Sequence, residues 1–171
     1  PLLVAEFALR RQAYDVALDQ YVEQSQRLRD AGVSAHTTHL AQFLQREPEA
    51  RQAVQLWLEL EPDNNFALFG MGDCYRGKMN MEKAVEWWDP ILEHEPENQA
   101  LWTRVGDALL SLHRVEDAIT HYESSLRNGP DVFSYLGLAR AYQEMGDLTK
   151  ARASCEQALA HDAQAATGPA L

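Results

Sequence analysis

Basic residues are scarce in this chain: 15 Lys and Arg stand against 26 Asp and Glu, a formal net charge of −11. Phosphate binding depends on clustered Lys and Arg, so this balance argues against nucleic acid and against anionic membrane surfaces. Cysteine is scarcer still, and Cys74 with Cys155 is too few for a disulfide scaffold. No apolar run approaches the roughly 18 to 20 residues needed to span a bilayer. The opening PLLVAEFALRR carries its charges after the apolar residues and lacks a small-residue cleavage site, unlike a signal peptide. Glycine-rich phosphate loop, nucleophile elbow and metalloprotease helix are all missing. Neither a catalytic site nor a cofactor is expected. A chain that opens on Pro1 rather than Met reads as a piece of a longer protein.

What is present is a recurring pattern. Residues 101–130 carry Trp102, Val105-Gly106, Leu109, Ala118, Tyr122, Ser125 and Pro130. A step back by about 34 residues meets Leu68, Met71-Gly72, Tyr75, Ala84, Trp88 and Pro96. A further step meets Thr38, Ala41, Ala50, Val54, Trp57 and Pro62, with Pro48 in a first helical turn, where proline costs little. Ala5, Ala8, Ala17 and Tyr21 continue the series toward the start, and Tyr135, Leu138-Ala139, Tyr142, Ala151, Cys155 and Ala158 toward the end. Small residues at two positions let paired helices approach, and bulky ones fill the space toward the next pair. Gly129 suits a left-handed residue after a helix, and Pro130 stops continuation. Pro90 falls inside a helix and should bend it.

These offsets resemble the tetratricopeptide repeat, whose signature runs W-x2-L-G-x2-Y, then A-x3-F, then P. The resemblance covers nearly the whole chain. It implies an all-α fold, a right-handed α-solenoid of antiparallel helix pairs. The units fall at about 1–30, 31–64, 65–98, 99–131 and 132–163, one array over 1–163 followed by a tail at 164–171 that holds Thr167-Gly168-Pro169. In that family the first helix of each pair faces a concave groove. The resemblance places His36, His39, Phe69, Asp73, Arg76, Thr103, Arg104, Asp107, Phe133, Leu136, Arg140 and Gln143 there, with Glu6, Gln42, Gly70 and Gly137 beside them. Arginines alternate with aspartates along this row, Phe69 and Phe133 add aromatic surface, and the two glycines would let a backbone approach. Such a groove suits an extended peptide or a partner helix. The lysine and asparagine clamp by which some family members hold a chaperone's C-terminal carboxylate is absent, because those positions hold Phe69 and Asp73, Thr103 and Asp107, Leu136 and Arg140.

Bland readings stand beside that one. Polar residues on the open side of an amphipathic helix need no ligand. His36 and His39 share a helical face, but zinc takes three or four protein ligands, so no metal site is expected. Glu82, Glu86, Asp89, Glu93, Glu95 and Glu97 form an acidic, solubilising face, without burial to raise a carboxyl pKa. Cys74 and Cys155 read as small core residues, which leans toward a reducing cytoplasm. Leu2, Leu3 and Val4 at one end, and Ala153 and Ala160 at the other, leave both ends without a polar cap. The expectation is a non-enzymatic adaptor that binds another protein, with Arg104 and Asp107 at the centre. The alternatives are a module that self-assembles through its terminal helices, or the recognition arm of a larger enzyme.

Overall fold

A computed structural model describes residues 2–77 and 79–166. Among these the fold is all-α, without a strand, and ten helices follow in order. They are α1 (Leu2–Arg10), α2 (Tyr14–Leu28), α3 (Ala31–Phe43), α4 (Glu47–Leu60), α5 (Asn65–Gly77), α6 (Met81–His94), α7 (Gln99–Ser111), α8 (Val115–Arg127), α9 (Val132–Glu144) and α10 (Leu148–Ala166). The reading of a tail at Thr167-Gly168-Pro169 lies outside the described residues, and the backbone from Gln164 to Ala166 belongs to α10.

Local chemistry starts and stops these helices. Asp30, Asn64, Asn98 and Asp131 each accept a backbone N–H in the first turn of α3, α5, α7 and α9, satisfying a donor that the helix leaves open. Asn80 and Asp147 do the same for α6 and α10. Pro48 lies in the first turn of α4, and Pro90 inside α6.

The turn within each helix pair has one geometry. Gln12, Gln45, Met79, His113 and Gly146 all have positive φ, between 56° and 80°. The next residue in each turn sends its N–H back to a carbonyl five residues earlier, from Ala13 to Ala8, Arg46 to Ala41, Asn80 to Tyr75, Arg114 to Leu109 and Asp147 to Tyr142. This bond marks the Schellman ending of a helix. Only the last of the five turns has glycine at the left-handed position. Gly129, after α8, also has positive φ.

The chain divides into two compact units, residues 1–87 and 88–171. In the first, α1 packs on α2, α2 on α3, α3 on α4 and α4 on α5. Its core holds Ala5, Ala17, Leu18, Tyr21, Ala41, Val54, Trp57 and Cys74. In the second, α7 packs on α8, α8 on α9 and α9 on α10. Trp88, Val105, Leu109, Ala118, Tyr122 and Ala141 are fully enclosed there. Cys155 departs from its reading as a core residue. It is exposed, because it occupies a face of α10 that no described helix covers. Both cysteines are free thiols.

Candidate functional site

Two patches, one in each unit, hold the residues singled out in the sequence. In the first unit α3 presents His36 and His39 at its surface, and each ring rests against a core aromatic. The His36 ring lies 4.6 Å from that of Tyr21, and His39 meets Trp57 edge-on at 5.8 Å. On α5, Phe69 is half-buried, and Arg76 bonds Asp73 at 3.2 Å. A hollow of about 490 Å³ opens beside them, lined by Gln42, Arg46, Glu47, Asp73, Cys74 and Arg76. Arg46 is held by Glu49 and, at 3.2 Å, by Asp15. The bond from Arg46 keeps the Glu49 carboxyl below the usual carboxylate range.

In the second unit the patch is built around Tyr122, which is completely buried. Its hydroxyl donates to Asp107 Oδ1 at 2.7 Å, and Arg140 donates to the same oxygen at 2.7 Å. Burial first, then the adjoining Asp107 carboxylate, pushes the Tyr122 hydroxyl above the ordinary phenol range. Tyr21 makes the same bond to Glu6 at 2.5 Å in the first unit, and burial with that bond pushes its pKa up to about 12. The Arg104 guanidinium lies 5.8 Å above the Trp88 ring, close enough for a cation–π contact. Phe133 and Leu136 on α9 are 72% and 43% exposed, large apolar groups in water beside Arg140 and Gln143. A hollow of about 430 Å³ follows this row, lined by Phe133, Leu136, Ala139, Arg140, Ala151 and Cys155.

Several expected groove residues lie elsewhere. Thr103 is buried, with its hydroxyl 2.7 Å from Ser134 Oγ and 3.1 Å from Ser125 Oγ. The sequence places it on the open face of α7. A buried hydroxyl must find partners, and here Ser125 on α8 and Ser134 on α9 provide them, with Asp131 closing the cluster. Gly70 and Gly137 are also enclosed rather than open to an incoming backbone. A Cβ on Gly137 would lie 2.3 Å from the Tyr122 ring, and one on Gly70 would lie 3.3 Å from Val54. Asp89 departs from the reading of the acidic face as fully solvated. Burial raises its carboxyl pKa, opposed by the charges of His121 and Arg114, although the residue as a whole remains exposed.

The pattern of small and large residues did not reveal Tyr122 as the hub, nor the hollow beside Cys155. A usable signal was present. Tyr21 and Tyr122 each follow a carboxylate by fifteen residues, one full helix and turn away. Among the described residues no three His, Cys, Asp or Glu side chains converge to hold a metal ion, and no helix is long and apolar enough to cross a membrane.

Two family models match, both tetratricopeptide repeats, over residues 84–132 and 134–164. A TPR repeat-containing protein of Pseudomonas aeruginosa is 44% identical over 63 residues, which is 37% of this chain and 11% of that protein. Tetratricopeptide repeat protein 21B of Xenopus laevis is 30% identical over 92 residues, 54% of this chain and 7% of the relative. The chain thus spans about a tenth of the length of these curated relatives. Among solved structures, MamA superposes with a TM-score of 0.86 at 14% identity, covering 96% of this chain and 98% of the other. MamA from Desulfovibrio magneticus, residues 41 to its end, gives a TM-score of 0.81 at 15% identity, covering 94% and 92%. At that identity the likeness concerns the fold.

Proposed function

The chain belongs to the tetratricopeptide repeat family, and from that premise we propose that it captures an extended segment or helix of a partner protein on the exposed faces of its odd-numbered helices. Interaction scaffolding is the general work of this repeat, and neither matched family model describes an enzyme. The observation that carries the finer reading is the surface of α9. Phe133 and Leu136 stand in water there, next to Arg140 and Gln143 and the rim of a hollow. Apolar anchors flanked by hydrogen-bonding groups suit a peptide that inserts one side chain and aligns the rest. His36, His39, Phe69, Asp73 and Arg76 form the corresponding patch of the first unit. Arg104, Asp107, Phe133, Leu136, Arg140 and Gln143 form that of the second. Thr103 takes no part, being consumed by its hydroxyl cluster.

The test starts from peptides selected out of a displayed random library by the 171-residue chain. Their affinity is then measured for the double variant Phe133→Ala, Leu136→Ala. Loss of one central apolar anchor typically costs about 2 kcal/mol, so binding should weaken by more than about tenfold. Both side chains are exposed, so helicity and unfolding midpoint should stay as they were. Unchanged affinity would remove α9 from the binding surface.

A further inference from the structure

The turn inside each helix pair marks the matching residue of every odd-numbered helix. The carbonyl that accepts the turn's N–H belongs to Ala8, Ala41, Tyr75, Leu109 and Tyr142 in succession. Where this residue is tyrosine, the following helix lays a lysine over its ring: Lys83 over Tyr75 at 5.3 Å and Lys150 over Tyr142 at 5.2 Å. Each lysine stands eight residues after its tyrosine, and the same step from Ala41 reaches Glu49. The α3–α4 pair therefore has a methyl group in place of the ring and a carboxylate in place of the ammonium.

The hollow of about 490 Å³ in the first unit opens against that methyl group. Ala41 of α3, Ala50 of α4 and Cys74 of α5 form its apolar wall. These three helices lie inside the array, so the hollow takes its shape from this chain's own packing and not from the point where the sequence starts or stops.

The rim is acidic once its internal pairs are counted. Arg76 is bonded to Asp73, and Arg46 to two carboxylates, Glu49 and Asp15. Glu47 is left over, because among the described residues nothing bonds its carboxylate. Its Oε1 leans over Gly77, 3.1 Å from where a Cβ on that residue would stand. Gly77 is the last residue of α5. A helix C-terminus is a negative pole that repels a carboxylate and attracts a cation. Glu47 stays there because it lies in the first turn of α4, whose positive pole holds it. The end of α3 reaches the same hollow through Gln42 and Gln45. Two helix C-termini and an unpaired carboxylate thus border an apolar wall.

We infer that this hollow receives a lysine or arginine side chain of the partner protein, with the alkyl stem against Ala41, Ala50 and Cys74 and the charged head between Glu47 and the end of α5. Long basic side chains suit such a place, since their stems are apolar and only their tips are charged. The net charge of −11 also draws a basic segment toward the chain. The assignment rests on the capture proposed above and names a side chain that the partner must carry.

Two small probes test the hollow without any peptide. Nα-acetyl-lysine methylamide and its uncharged counterpart, Nα-acetyl-norleucine methylamide, are titrated into the isotope-labelled 171-residue chain and followed by NMR. The lysine compound should shift the amide resonances of Gln45 and Gly77 and bind about fivefold more tightly than the norleucine compound, the upper range of a partly exposed ion pair. Glu47→Gln should abolish that preference, and because Glu47 is exposed the rest of the spectrum should stay that of the folded chain. Equal binding of the two compounds, lysine-dependent shifts confined to other helices, or a preference that survives Glu47→Gln overturns the inference.

The library peptides then separate this site from capture itself. They should contain a lysine or arginine whose replacement by norleucine costs no further affinity once Glu47→Gln is present. Peptides weakened by the Phe133→Ala, Leu136→Ala pair but indifferent to Glu47→Gln would leave capture standing and overturn the role of the hollow. A lysine preference at the hollow in a chain that selects no peptide would keep the cation site and overturn capture.

Discussion

Tyr122 shows how much one side chain can organise. Its ring fills the space left by two missing side chains, at Gly106 on α7 and Gly137 on α9, and its hydroxyl reaches Asp107. A Cβ on Gly137 would meet ring atoms of Tyr122 at 2.3 and 2.4 Å. The ring is fully buried and cannot swing away. We therefore expect Gly137→Ala to cost about 1 to 3 kcal/mol, the range of overpacking in a filled core, as a lowered midpoint in urea denaturation. An unchanged midpoint would mean that α9 can shift away from α8 without loss. The same packing explains why Asp107 is a poor position for testing partner binding. Removing its carboxylate strips the partner from a buried hydroxyl and from Arg140 together, so a loss of binding would also report a loss of structure.

At the scale of the element, the turns inside the helix pairs are the uniform feature. Five of them place a residue at positive φ, yet four use Gln12, Gln45, Met79 and His113. A left-handed conformation costs a residue with a Cβ about 1 kcal/mol that glycine does not incur. Gln45→Gly should therefore raise stability by about 0.5 to 1 kcal/mol, and Gly146→Ala should lower it by a similar amount, both read by thermal unfolding. If the glycine at 45 proves destabilising, the Gln45 side chain contributes to the hollow it lines more than its backbone costs. These turns were not legible beforehand, because glutamine, methionine and histidine carry no turn signal of their own. The helix starts rest instead on chemistry confined to four consecutive residues, as where Asp30, Asn98 and Asp131 cap α3, α7 and α9.

For the molecule as a whole, charge is the property that length and composition state directly. With a net charge of −11 the chain should repel polyanions. We expect no complex with duplex DNA or RNA in an electrophoretic mobility assay at physiological salt, where non-specific binding of a basic protein is readily seen. A salt-sensitive shift would reveal a local cluster of Arg strong enough to overcome the overall field. The protein partner proposed above is instead held by groups that the acidic balance leaves available: aromatic and aliphatic side chains, with arginines already paired to carboxylates such as Asp73 and Asp107.

The all-α fold and the resemblance to tetratricopeptide repeats were legible in the sequence. Small residues such as Gly72 and Gly106, and large ones such as Trp88 and Tyr122, recur because each helix pair must solve the same packing problem with its neighbours. Exposure could not be read the same way. Thr103 and Arg104 are adjacent on α7 and equally polar, yet the threonine is buried because Ser125 and Ser134 from two other helices offer it hydrogen bonds. Gly137 reads as open in the sequence, and a ring from α8 occupies its space. Cys155 occupies a core position by period and is exposed because no described helix lies over it. A period describes what one helix repeats along itself, while burial depends on what its neighbours bring, and that is settled only when they are packed together.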